Sequence, residues 1–156
     1  METTRHFTAS VYLVNDGAVA LHRHERLDLL LPAGGHVDRD ELPHETALRE
    51  AREETGLEPT LLVDTPEIAS ETNRSIPRPR HLMLADVNVH GDQVGHQHVD
   101  HVYYAVVDER AIDPGPGEAP AEAWDWYDRV ALDAPPVDPD VCDLGREAID
   151  VAAGRA

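Results

Sequence analysis

The chain has 156 residues, 41% of them hydrophobic, which is enough for one domain with a sizeable core and sets it apart from disordered chains. Its 31 acidic residues against 13 basic ones give a formal net charge of -18, which repels nucleic-acid backbones and anionic membranes and excludes a general role on either. The single cysteine, Cys142, excludes an intramolecular disulfide and any multi-cysteine zinc site.

In chain order, Phe7 to Asn15 is β-branched and aromatic enough for a first strand. Asp16-Gly17 reads as a tight turn, with Ala18 to His22 returning as the second strand. Leu27 to Leu31 is a short apolar run stopped by Pro32, a third strand. The period then changes. From Pro43 to Thr55 the composition of Ala, Leu, Glu and Arg favours a helix, with Pro43 suited to its first turn and Gly56 to the position past its end. Ala47, Leu48, Ala51 and Thr55 form its apolar stripe. Two long strands are expected at His81 to Val89 and His98 to Val107. A Pro/Gly/Glu-rich loop spans Ile112 to Ala121, followed by a short aromatic strand at Trp124 to Tyr127 and a second helix from Asp138 to Ala153. The order β-β-β-α-β-β-β-α predicts an α+β mixed sheet with helices packed on it, residues 1–156 forming one domain.

The helix carries the chemistry. At about 100° per residue, Glu50, Glu53 and Glu54 fall within about a third of its circumference. Such a cluster is either a solvated acidic face or a set of oxygen ligands for a hard cation such as Mg²⁺, which suits phosphate chemistry. Its surroundings favour the second reading. Gly35, Glu41, Arg49, Glu50, Ala51, Glu53, Glu54, Gly56 and Leu57 stand at fixed spacing within residues 35–57. This pattern resembles the Nudix box, every fixed position matching and Ala51 being a smaller aliphatic than usual. Nine positions discriminate far better than a lone glycine motif.

The resemblance implies an α/β/α sandwich and a metal-dependent hydrolase that cleaves a nucleoside diphosphate linked to another moiety. It implies Mg²⁺ or Mn²⁺ bound directly by Glu50 and Glu54, by Glu53 directly or through water, and by the Gly34 carbonyl. Arg49 would orient a neighbouring glutamate, one turn from both Glu45 and Glu53. Glu41 would fix the loop against the helix, while Gly34 and Gly35 would make a tight turn where side chains would crowd the phosphates. Family members place the general base differently; Glu53 or Glu50 is expected here, with Glu118 and Glu122 in the later loop as an additional ligand or base. Two other readings share the fold. A nucleotide-sensing domain without catalysis usually has eroded box carboxylates, which are intact here. An isopentenyl diphosphate isomerase-like enzyme relies on a cysteine ahead of the box, whereas Cys142 lies far behind it.

Several further features have both a structural and a functional reading. His96, His98 and Asp100 would share one strand face while His101 points the other way, so a zinc site built from His96, His98 and His101 would need a bulge. His98 and Asp100 are candidate substrate contacts. Arg78 and Arg80, with Arg74 nearby, could contact a phosphate or pair with surface acids. Trp124 and Trp126 could stack a base or fill the core. The substrate is a small nucleotide-type diphosphate of unspecified kind, and a homodimer is compatible with the family. All 13 basic residues are arginine. At about 1 M salt the Debye length falls to about 3 Å and screens the self-repulsion, so this composition points to a high-salt cytoplasm. No apolar run approaches the roughly 20 residues that span a bilayer, and the first ten residues lack a secretory pattern.

Overall fold

In a computed structural model of the chain, residues 2–155 are described. β1 (Thr4–Asn15) and β2 (Ala18–His24) form a hairpin whose turn residues, Asp16 and Gly17, both take left-handed backbone conformations. β3 (Leu29–Leu31) pairs with β2, and β4 (Ala33–His36) pairs with β1. α1 (Pro43–Thr55) follows, then the two-residue β5 (Thr60–Leu61) and the long hairpin of β6 (His81–His90) and β7 (Gln93–Val106). β8 (Trp124–Asp128), the short α2 (Arg129–Leu132) and α3 (Pro139–Ala152) complete the chain.

The eight strands form one mixed sheet. Its central path is β3-β2-β1-β7-β5, with β4 beside β1, β6 beside β7 and β8 beside β2. The β1–β7 pair is parallel, whereas the other pairs are antiparallel. Alternation along β1 separates two cores. Ala9, Val11 and Leu13 pack with Ala47 and Ala51 of α1 and with Tyr103. Tyr12 and Val14 pack on the opposite side with Tyr104 and with Val141, Ala148 and Ile149 of α3. Each such fully buried large aliphatic side chain contributes about 1.5 to 3 kcal/mol. The result is the expected α/β/α sandwich, with α1 and α3 on opposite faces.

Several elements differ from expectation, among them β1, which begins at Thr4 rather than Phe7, and the four-residue α2, which was not expected. β3 begins at Leu29 rather than Leu27, because Asp28 takes a left-handed conformation that breaks the strand. β4 was not expected, since Ala-Gly-Gly-His has no strand propensity of its own and becomes extended by pairing with Thr8 to Val11. β5 is too short to show a period. β7 starts at Gln93, five residues before His98, because β1 and β6 flank this polar stretch on both sides. Among the described residues no helix is long and apolar enough to cross a membrane.

Candidate functional site

The loop before α1 is bound to the helix through Arg49. Its Nε and Nη2 donate to Glu41 at 2.7 and 2.8 Å, a two-pronged contact suited to the planar guanidinium. Nη1 reaches Glu50 at 2.9 Å and Glu53 at 3.2 Å. Glu41 also accepts from the Thr46 hydroxyl at 2.9 Å. These hydrogen bonds, with Arg49 first, lower the Glu41 pKa to about 2. Glu45, expected as a possible partner of Arg49, instead accepts the backbone N–H of Leu42 at 2.8 Å and caps the start of α1.

On the next turn of α1 the carboxyls of Glu50 and Glu54 meet β4. The Gly34 N–H donates to Glu54 at 2.9 Å. A Cβ at Gly35 would run into the Glu50 carboxylate, and one at Gly34 would stand 2.5 Å from the Ala9 carbonyl oxygen. The two glycines therefore serve close approach within an extended strand, not the tight turn expected of them. Burial raises the pKa of both acids, with Glu50 and Glu118 pushing Glu54 further in the same direction. The Gly34 N–H opposes this only in part. Two buried acids side by side resist carrying two negative charges unless a cation joins them.

The far end of α1 positions a second loop. Gly56 ends the helix in a left-handed conformation, with its N–H on the Arg52 carbonyl. The exposed carbonyls of Glu53 and Thr55 are then taken by the backbone N–H groups of Gly115 and Asp113, at 2.7 and 2.8 Å. This brings Glu118 to the cavity. The cavity, about 420 Å³, is lined by Glu50, Glu54 and Glu118, by Gly34 and Gly35, and on the far wall by His36, His98 and Asp100. Its size suits a small-molecule ligand.

The expected residues thus divide. Glu50, Glu54, Gly34, Gly35, Glu118, His98 and Asp100 share one cavity. Glu53 stays outside its lining, with a side chain 47% exposed against 16% for Glu50 and 11% for Glu54. Glu122 is exposed in the turn before β8. Arg78 and Arg80 line a separate hollow with Leu62, Asp64 and Val151, where Arg80 lies 3.4 Å from Glu147. Arg74 lies in a bridge to Ala69. Trp124 is buried against His22, and Trp126 donates to the Arg110 carbonyl beneath the Arg110 guanidinium. Asp100 is braced by the hydroxyls of Thr8 and Ser10, at 2.9 and 2.7 Å. Sequence reasoning missed His22, whose Nε2 lies 3.8 Å from Glu54. Burial, then the neighbouring His24, lowers its pKa. The alternation of His22 and His24 on β2 was the available signal, outside any motif.

A family model described as NUDIX domain matches residues 4–142. The chain belongs to the Nudix family. Among solved structures, a NUDIX-family hydrolase from Clostridium perfringens is 32% identical to it, covers 96% of this chain and 99% of its own, and superposes with a TM-score of 0.80. The dihydroneopterin triphosphate pyrophosphohydrolase of E. coli is 15% identical over 96% of each chain, with a TM-score of 0.62. A MutT protein from Bacillus halodurans is 17% identical, over 92% of this chain and 82% of that one, with a TM-score of 0.61. These last two likenesses are of fold. No curated protein sequence matches the chain. The chain is a Nudix hydrolase, an enzyme of the class that cleaves nucleoside diphosphates linked to another moiety.

Proposed function

We propose that this Nudix hydrolase, a single domain over residues 1–156, cleaves a nucleotide-type diphosphate with Mg²⁺ or Mn²⁺ held by Glu50, Glu54 and the Gly34 carbonyl, and by Glu53 through water. The observation that carries the reading is the pair of buried, mutually opposed carboxyls facing the cavity, with a backbone N–H and Arg49 as their donors. Hard oxygen donors at this density fit a hard divalent ion. When bound, such an ion offsets the phosphate charge and makes water easier to deprotonate.

The chain's own groups supply the rest. Arg49 holds Glu50 and Glu53 in register while Glu41 holds Arg49. Of the expected bases, the cavity supports Glu50 and the loop residue Glu118 over Glu53, because both line it. Either accepts a proton from the attacking water, which enters in line with the bond from phosphorus to the bridging oxygen and breaks it. That His98 lines the same cavity supports it as a substrate contact, and the hydroxyls of Thr8 and Ser10 that brace Asp100 support a role for it in holding the strand beneath. Arg78 and Arg80 find no support as substrate contacts, since their hollow is separate.

The test is a panel of nucleoside triphosphates, nucleotide sugars and dinucleoside polyphosphates with Mg²⁺ or Mn²⁺ in molar KCl. Monophosphate release is expected with at least one class, and Glu54→Gln should lose at least about 100-fold in kcat/KM while keeping its circular dichroism. Parent-like turnover in a folded Glu54→Gln would remove the proposal. A second copy of the chain is the partner we assign to the exposed apolar face of Phe7, Leu82 and Leu84. Sedimentation equilibrium reads this directly, and a monomer mass at all concentrations would withdraw it.

A further inference from the structure

The cavity wall away from Glu50 and Glu54 carries a second cluster of ligating groups, of which only His98 has a role in the reaction proposed above. The parallel register of β1 and β7 sets His6 opposite His98 and Thr4 opposite His96. Side chains two apart on a strand share a face, so His96 and His98 stand together with His6 across from them. His36 of β4 closes a ring of four imidazoles. Centroid distances are 4.5 Å for His6–His96, 5.1 Å for His96–His98, 4.9 Å for His98–His36 and 5.5 Å for His36–His6, all edge to face.

One ring nitrogen each from His6, His96 and His98 lies within 4.8 Å of the other two. Around a tetrahedral ion with bonds of about 2.0–2.1 Å, ligand nitrogens stand about 3.4 Å apart, so small ring rotations close the set. The Thr4 hydroxyl lies 3.3 Å from the Gly95 carbonyl and 2.8 Å from His96 Nδ1. When the hydroxyl proton is directed at the carbonyl, its oxygen can accept an Nδ1–H from His96. In that tautomer the Nε2 lone pair of His96 is free for an ion, the arrangement an outer partner enforces in histidine metal sites.

We propose that His6, His96 and His98 form a second metal site, for a transition ion of the Zn²⁺ class rather than for Mg²⁺. Imidazole nitrogen selects Zn²⁺, Co²⁺, Ni²⁺ and Cu²⁺, whereas Mg²⁺ takes oxygen. Three protein ligands leave a fourth position for water or an anionic oxygen. His98 lines the cavity with Glu50 and Glu54, so the site borders the substrate space while sharing no ligand with the carboxylate pair. The three histidines differ from the set weighed from sequence, which a strand was expected to split: His6 from the first strand stands in place of His101, whose Nδ1 is 2.9 Å from the Thr8 carbonyl oxygen.

The experiment titrates the full chain with Co²⁺ in molar KCl, with Mg²⁺ in large excess to occupy the carboxylates. Visible absorption and equilibrium dialysis are read together. One equivalent of Co²⁺ with the intense absorption of a tetrahedral site is expected, displaced by Zn²⁺, lost in a His96→Gln/His98→Gln double variant and retained in Glu54→Gln. His6→Gln, altered at an exposed strand position, should weaken Co²⁺ binding at least tenfold and serves if the double variant does not fold. Absorption unchanged in the histidine variants, its absence from the parent, or its loss in Glu54→Gln alone would each overturn the site. Such a failure leaves the hydrolase assignment standing, because that is read from turnover.

Discussion

Glu54 combines burial, a like-charged neighbour and one backbone donor, and these have opposed effects on its ionisation. Burial wins and moves its pKa from 4.5 to about 8 without an ion. A raised folded-state value means that the stability Glu54 contributes is complete below about 4.5 and is lost as pH rises through about 8. His22 and His98, whose values are lowered by burial, contribute in the opposite sense over part of this range. The comparison is therefore between parent and Glu54→Gln, whose histidines are the same. In metal-free molar KCl the parent should lose stability relative to Glu54→Gln as pH rises from about 5 to about 8. Added Mg²⁺ should restore it more at the upper pH than at the lower. Parallel pH profiles of thermal midpoint, with and without Mg²⁺, would contradict this account of the pair.

At the scale of elements, the site depends on two loops held to the two ends of α1. Arg49 joins the first through its fork on Glu41, and Gly56 leaves room for the second. Arg49→Lys keeps the charge but cannot reproduce both hydrogen bonds. We expect a loss of about 1 to 2 kcal/mol in urea unfolding and a fall in kcat greater than the rise in KM. An unchanged midpoint and unchanged kcat would show that Glu41 and Arg49 do not position the acids. This helix was legible from the sequence because Pro43, the apolar stripe and Gly56 agree over 13 residues. β4 was not, because Gly34 and Gly35 become a strand only by lying against β1. For the same reason the purpose of these glycines was misread. A residue in a short loop has no period, so the delivery of Glu118 by amides capping α1 was visible only in three dimensions.

Across the whole molecule, the mixed sheet with packed helices was legible from the order of the elements, and the sandwich from the resemblance carried by residues 35–57. The alternation that separates the two cores along β1 emerged only in the structure. What brings distant residues together was not legible either. The parallel β1–β7 pairing joins His6 to His98 and Ser10 to Asp100 across about ninety residues of sequence, and no local pattern reports it. Net charge acts at this scale too. With -18 distributed on 156 residues, unscreened repulsion opposes compaction. The thermal midpoint should rise as KCl increases from about 0.1 M to about 1 M, where the Debye length drops from about 10 Å to about 3 Å. A flat or falling midpoint would remove the reading of the acidic surface as an adaptation to salt. The claim on which the enzyme's chemistry depends is that Glu50 and Glu54 are held together for a divalent ion. Anomalous diffraction from crystals soaked with Mn²⁺ and a non-hydrolysable diphosphate measures this directly. The account predicts an anomalous peak bonded to oxygens of both carboxylates; a peak elsewhere, with the two side chains turned apart, would contradict it.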